Sequence, residues 1–327
     1  MWHVSHQFDM VHALRDECDF YFCLNIKKQW DGNKRKAPEN ITFVTHYQKG
    51  FYDIAILHID QQVVNPNDLK TLVYNEFNSL IQDIPKIVIC HGTPCYPEYY
   101  RLKHRANGLS LLEMDQMCIK DVKKIIGDNL MVVNSFDAAT EKEWGFGHPI
   151  IHGINPDDWW DLPKEPRAFT AISVYGLDKA VNRECLLDVS EELYTNFGHT
   201  LAYANLNIDT GASVEDYKNY LGRSLIYLDT SVRTPMNRAR TEAFLSGCCV
   251  LQVEGAHDLT RWAKHMENII LVPNDPAEIA KLIADLIENR YQEAIAIGKR
   301  GKAMAKKVFD PERYKQDWLK LFKQTMR

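Results

Sequence analysis

Two hydrophobic rhythms alternate along the chain. Short apolar runs at 20–24, 53–58, 86–91, 130–134 and 149–152 predict strands, and 67–80, 110–126 and 136–144 between them carry the three-and-four spacing of helices with one buried face. Strands alternating with helices pair in parallel, because only a crossover connection can join parallel neighbours. The rhythm breaks at 155–166, where Pro156, Pro163 and Pro166 stand among turn-forming acids. Proline fixes φ and removes a hydrogen-bond donor, so an inter-domain linker is expected there.

The alternation restarts with strands at 169–174, 199–204, 224–229, 249–253 and 268–272 and helices at 182–194, 276–288 and 291–307. Ile279, Leu282, Ile283, Leu286 and Ile287 form a plain core stripe. A last helix opens at Asp310-Pro311, a cap acid followed by proline at the first helical position, with Tyr314, Trp318, Leu319 and Phe322 as its apolar face. The expected architecture is α/β: two doubly wound, Rossmann-like domains, 1–155 and 156–308, with a terminal helix, 309–327, packing back on the first.

Composition narrows the function classes. The 327 residues, 45% hydrophobic and 25% charged, suit two core-forming domains. A net charge of -5 disfavours general nucleic-acid binding, which draws on a basic excess. The eight cysteines are scattered without a Cys-x-x-Cys and read as free thiols of a reducing compartment. No apolar run nears the roughly 18 residues of a membrane span, and the first residues lack a signal-peptide pattern. A cytoplasmic protein is expected, with peripheral contact at the inner face of a membrane left open.

The chemistry concentrates in 224–251. A strand ends at Asp229, a helix is expected to open near Thr234-Pro235, and Gly247 should close it. A helix N-terminus at a strand's carboxyl end attracts anions through its unpaired N–H groups and its dipole. Arg238 and Arg240 add two cations in the first turns; the competing reading is that they decorate the surface. Glu242 follows, either a solvated face residue or an acceptor for vicinal hydroxyls.

In the first half, His91 and Gly92 follow an apolar strand at the end where α/β proteins bind ligands, although a hydrogen-bonded loop histidine is the commoner case. His6, in the first loop, and Glu98, beside Tyr99 and Tyr100, are further candidates on the acceptor side. No Gly-x-Gly-x-x-Gly, P-loop, Gly-x-Ser-x-Gly or Asp-x-Asp is present, so no cofactor and no metal site are expected.

The stretch from Leu225 to Val253 resembles the signature of retaining GT-B glycosyltransferases of family 4: a glutamate, seven residues, a second glutamate, then a small residue, a glycine and an apolar strand. Glu242 matches the second glutamate, which in that family binds the nucleotide ribose, and Ala243 and Ser246-Gly247 continue the match. Thr234 stands where the first glutamate would be, and Asn237, Arg238 and Arg240 are the residues that would compensate by holding the diphosphate. Asn134-Ser135-Phe136, the run from Ile151 to Trp159, Asp275-Pro276-Ala277-Glu278 and the Trp318 helix extend the likeness over most of the chain. The start departs from it, with Val4-Ser5-His6-Gln7-Phe8 in place of a Gly-Gly loop.

The resemblance implies a GT-B fold and transfer of a sugar from a nucleoside diphosphate sugar, with retention and without metal, to a saccharide, a lipid or another small acceptor. It implies His91, Arg238 and Lys179 as catalytic residues, and Glu242, Thr241, Arg240, Asn237, Arg183 and Thr234 as donor-binding residues. Lys179 and Arg183 flank a helix start where the family places its diphosphate-binding Arg and Lys. The same fold leaves open a sugar-nucleotide epimerase or a phosphorylase. Thr234 in place of the glutamate leaves open a nucleotide-sugar-binding subunit whose transferase activity has decayed.

Overall fold

A computed structural model describes residues 4–23, 30, 32, 35–172, 182–204, 213–233 and 237–326. The first half opens with helix α1 (Val4–Ala13), followed by strands β1 (Phe20–Cys23), β2 (Ile41–Val44) and β3 (Ala55–Ile59), helix α2 (Leu69–Leu80) and β4 (Lys86–Cys90). Helices α3 (Glu98–Ala106) and α4 (Leu111–Ile126) and strands β5 (Leu130–Val133) and β6 (His148–Pro149) complete it. The second half runs β7 (Glu165–Thr170), α5 (Arg183–Phe197), β8 (Leu201–Tyr203), α6 (Val214–Arg223), β9 (Ser224–Asp229), α7 (Arg238–Leu245) and β10 (Cys249–Val253). It ends with α8 (Leu259–Trp262), β11 (Ile270–Val272), α9 (Pro276–Glu288) and α10 (Tyr291–Val308), and α11 (Pro311–Thr325) closes the chain.

The chain divides into two compact units, Met1–Gly153 with Glu312–Arg327, and Ile154–Pro311. In the first, β3, β4, β5 and β6 form a parallel sheet in that order, and β1 pairs with β2 in a separate parallel ribbon. The side chains of the four-stranded sheet alternate between two cores, as the two-residue strand period requires. Leu57, Ile59, Val88, Cys90, Met131 and Val133 share one core with Met114, Cys118 and Val122 of α4. Ile87, Ile89, Val132 and Ile150 share the other with Met10 of α1 and with Tyr314, Trp318, Leu321 and Phe322 of α11. Ser110 and Glu113 form a reciprocal cap that fixes where α4 begins.

The second unit holds a parallel sheet ordered β11-β10-β9-β7-β8. Read from the β8 edge, its strands are the second, first, third, fourth and fifth in the chain, and the connections change direction between β7 and β9. All six residues of β9 and all five of β10 are buried. At the turn closing α7, Gly247 sits at φ +76°, a conformation that L side chains rarely adopt. A Cβ on Gly298 of α10 would lie 2.3 Å from the Gly247 carbonyl oxygen, so the bare glycine lets the helix backbone meet the α7–β10 turn.

Several expectations change. Residues expected to form the first loop, including His6, are helical, with Val4, Met10 and Val11 buried. The helix expected at 136–144 is only a 3-10 turn at Asp137–Ala139, and the strand expected at 149–152 is the two-residue β6. The proline-rich break ends sooner than expected: β7 begins at Glu165 and takes in Pro166, where a register irregularity between Glu165 and Ala168 accommodates the missing donor. Among the described residues no helix is long and apolar enough to cross a membrane.

Candidate functional site

Two polar clusters stand at the carboxyl ends of parallel strands, one in each unit. In the second unit, α7 opens at Arg238; Thr234 and Pro235, where the helix start is expected, lie outside the described residues. Asn237 is the N-cap, accepting from the Ala239 N–H at 3.1 Å and donating through Nδ2 to Asp229 Oδ2 at 2.9 Å. Asp229 Oδ1 also accepts from the Ser231 N–H at 2.9 Å. Burial raises the Asp229 carboxyl above its usual range, and the charge of Arg240 with these hydrogen bonds works against that shift.

Arg238 and Arg240 stand on different sides of α7, because residues two apart on a helix do not share a face. Arg240 is fully buried (0% exposed); its guanidinium donates to Gln252 Oε1 at 2.6 Å and lies 5.3 Å from the centroid of the Trp262 ring. Gln252 in turn donates to the Asp229 and Ser231 carbonyls at 3.1 and 2.9 Å. Arg240, expected at the diphosphate, is engaged inside the unit by Gln252 and the nearby Asp229 charge. Thr241, also expected at the donor, is buried, and its hydroxyl donates to the Asn237 carbonyl at 3.4 Å.

Glu242, four residues after Arg238, lies on the same face of α7 and is ion-paired with it. Tyr217 of α6 donates its hydroxyl to Glu242 Oε2 at 2.9 Å, and Trp159 lies 6.0 Å from the Tyr217 ring and 5.9 Å from the Arg238 guanidinium. The carboxylate is therefore oriented from both sides. Tyr217 and Trp159 were not singled out in the sequence; their signal was an aromatic on an amphipathic stretch and a tryptophan in a turn, neither of which points to Glu242. Arg233, exposed in the loop after β9, holds φ at 51° while its N–H bonds the Gly255 carbonyl at 2.9 Å. Arg183 is the first residue of α5 and is half-buried. Lys179 and Thr234 lie outside the described residues.

In the first unit, the strand positions on this face run Ile54, Ile56, His58 before and on β3; Ile87, Ile89, His91 on and after β4; Val132, Asn134 on and after β5; and Ile150, His152 after β6. Where the apolar residues stop, polar ones take over the same face. His58 Nδ1 lies 2.9 Å from His91 Nε2, with the two rings edge to edge and their planes 3° from parallel, and Asn134 Nδ2 lies 3.2 Å from His91 Nδ1. His6 of α1 brings its ring centroid to 4.9 Å from that of His91 and 6.2 Å from that of His152. These side chains line one small cavity with Met10, Tyr314 and Trp318. Burial, with His6 nearby, pushes the His58 pKa down to about 3.

Gly92 follows His91, and a Cβ there would lie 2.9 Å from the Gln61 backbone nitrogen; its carbonyl accepts from Trp144 Nε1 at 3.1 Å. Glu98 opens α3, and its side chain lies outside the described part of the molecule. The sequence thus marked His91, His6 and Gly92 but missed His58, Asn134 and His152 as their neighbours. Among the described residues no three His, Cys, Asp or Glu side chains are set to hold a metal ion.

No protein-family model and no curated protein matches the sequence. Solved structures do. HepE from Anabaena, crystallised with UDP and glucose, superposes with a TM-score of 0.65 at 14% identity, over 98% of this chain and 95% of that one. Sucrose-phosphate synthase from Thermosynechococcus elongatus gives a TM-score of 0.56 at 14% identity, over 82% of this chain and 73% of the other. A TarM variant from S. aureus, crystallised with Fondaparinux, alpha-GlcNAc-glycerol and UDP, gives 0.57 at 14% identity, with 77% of this chain covering 53% of that one. These likenesses show that the chain has the GT-B fold.

Proposed function

We propose that this protein is a glycosyltransferase that takes sugar from a nucleoside diphosphate sugar, with UDP as the nucleotide. The donor lies at the carboxyl edge of the β7–β9 pair in the second unit, where connections change direction and α/β sheets bind ligands. The observation that carries this reading is Glu242, oriented on α7 by Arg238 and Tyr217. A carboxylate offers about four acceptor positions; two are occupied, and the others accept the ribose hydroxyls. HepE, which shares the fold over nearly the whole chain and was crystallised with UDP and glucose, supports the choice of nucleotide.

The start of α7 supplies N–H groups and the positive end of its dipole to the diphosphate. Stabilising the charge that develops on the departing nucleotide lowers the barrier to breaking the glycosidic bond. Lys179, Arg183 and Thr234 are assigned to the diphosphate and the sugar on the family resemblance alone, as are retention, metal independence and a small saccharide or lipid acceptor. Calorimetry of UDP and UDP-sugars with the wild-type chain and with Glu242→Gln tests the donor assignment: binding by the first and clear weakening in the second are expected. Equal affinity in both would overturn it.

A second reading, a UDP-sugar-binding subunit without turnover, draws on one specific observation. Both arginines expected at the diphosphate are engaged within the unit, Arg238 with Glu242 and Arg240 with Gln252. Mass spectrometry of UDP-sugar incubated with a broad acceptor panel separates the two readings: UDP release with a glycosylated product supports the transferase, and binding without product supports the subunit.

A further inference from the structure

His91 has a ring nitrogen facing a partner on each side. Asn134 Nδ2 lies 3.2 Å from Nδ1, and His58 Nδ1 lies 2.9 Å from Nε2. An amide nitrogen only donates, so His91 Nδ1 must accept. A neutral imidazole with a bare Nδ1 carries its proton on Nε2, which therefore donates to His58 Nδ1, leaving the His58 proton on Nε2. With the Asn134 amide turned as it stands, Nδ2 toward His91, the distances and the donor chemistry admit one neutral arrangement of protons.

We infer that Asn134 and His58 are positioning residues for His91, holding it neutral in the Nε2–H tautomer through a hydrogen-bonded row that starts at the Asn134 amide and ends on His58. The row is a product of the sheet. Strand period and register put positions 58, 91 and 134 on the face covered by α1 and α11, immediately beyond Ile56, Ile89 and Val132. With both nitrogens committed inside the unit, His91 is not a free general base. This rests on the glycosyltransferase reading only for the part that the family resemblance gives His91 in the reaction; the tautomer follows from the row itself.

The other titratable side chains at this cavity are His6 from α1, His152 after β6 and Tyr314 from α11; Asp60, just past β3, is ion-paired with Lys70. A proton added to the row enters at His91 Nδ1. The Asn134 amide then turns so that Oδ1 accepts, and His58 goes on accepting at Nδ1, which is consistent with the downward push on its own pKa. No other group has to gain or lose a proton.

Long-range 1H–15N spectra of the full chain labelled at histidine nitrogens read tautomer and charge directly. The wild-type protein at pH 7.5 is expected to show His91 with an acceptor-type Nδ1 and a protonated Nε2. Asn134→Leu is expected to free the ring into a mixture of tautomers. Asn134→Asp places a carboxylate against Nδ1, which is expected to move the proton there and to raise the midpoint of the His91 titration by about 1–3 pH units. A doubly protonated His91 in the wild type, an Nδ1–H tautomer, or a spectrum unchanged in both variants would overturn the inference. The wild-type spectrum decides even if a variant does not fold. UDP calorimetry on the same samples keeps the two claims apart: loss of UDP binding in the wild type counts against the proposed function and leaves the tautomer result standing.

Discussion

The two polar clusters occupy equivalent places, beyond the carboxyl ends of parallel strands, and solve the same problem by different means. The first unit gathers neutral imidazoles and an amide: His58, His91 and Asn134 in a bonded row, with His6 and His152 against it. The second gathers full charges, Asp229 and Arg240 in the interior and Arg238 and Glu242 as an ion pair. Neutral groups can be buried on the strength of hydrogen bonds alone, whereas buried charges need a partner at every position. The imidazole cluster should therefore respond to pH, and the charged cluster to the loss of any one member.

The sharpest way to break the charged cluster is Arg240→Met. It leaves Asp229 and Gln252 buried without their cation, and urea unfolding is expected to show a loss of about 3–5 kcal/mol. A loss below about 1 kcal/mol would mean that Arg240 is not the interior counter-ion described here.

Acid should find the imidazole cluster. His58 titrates near 3 in the folded chain against an ordinary 6.5, so between those values the unfolded chain takes up a proton that the folded chain refuses. Stability is then fully present above about pH 6.5 and falls as the pH drops toward 3, by at most about 1.4 kcal/mol per pH unit for this residue. His58→Gln is expected to flatten the slope of unfolding free energy between pH 6.5 and 4.5; an unchanged slope would assign the acid response elsewhere.

The smallest effect is expected from Tyr217→Phe, which removes one hydrogen bond to a carboxylate that Arg238 still holds. About 1–2 kcal/mol of stability should be lost in the same urea assay. A larger loss than that of Arg240→Met would reverse the ranking of the two sides of α7.

Much of the fold could be read from the chain because its strands and long helices carry strong periods. The 224–229 and 249–253 runs and the 276–288 stripe coincide with β9, β10 and α9. What escaped has physical reasons. Strand β2 is a four-residue apolar run, Ile41-Thr42-Phe43-Val44, too short to stand out from the polar stretches around it, and α6, with Glu215, Asp216 and Lys218 among its apolar residues, is a short helix of mixed character. Helix α1 does have the spacing, in Val4, Met10 and Val11, although the family resemblance implies a loop there.

Arg240 carries the main lesson for the site. Two cations near a helix start look equivalent in a sequence, yet positions 238 and 240 cannot share a face, while 238 and 242 must. That spacing alone would have paired Arg238 with Glu242 and turned Arg240 elsewhere. The histidine row was legible too. Continuing the inward alternation of Ile56, Ile89, Val132 and Ile150 by two residues reaches His58, His91, Asn134 and His152.

The central claim is that Glu242, held between Arg238 and Tyr217, receives the ribose of a UDP-sugar. Isothermal titration of UDP into the wild-type chain, Glu242→Gln and His91→Gln tests it most directly. Saturable binding by the wild type, a loss of about tenfold or more in Glu242→Gln and little change in His91→Gln are predicted. Absence of UDP binding in a folded wild-type chain, or a Glu242→Gln variant that binds as tightly as the wild type, would contradict it.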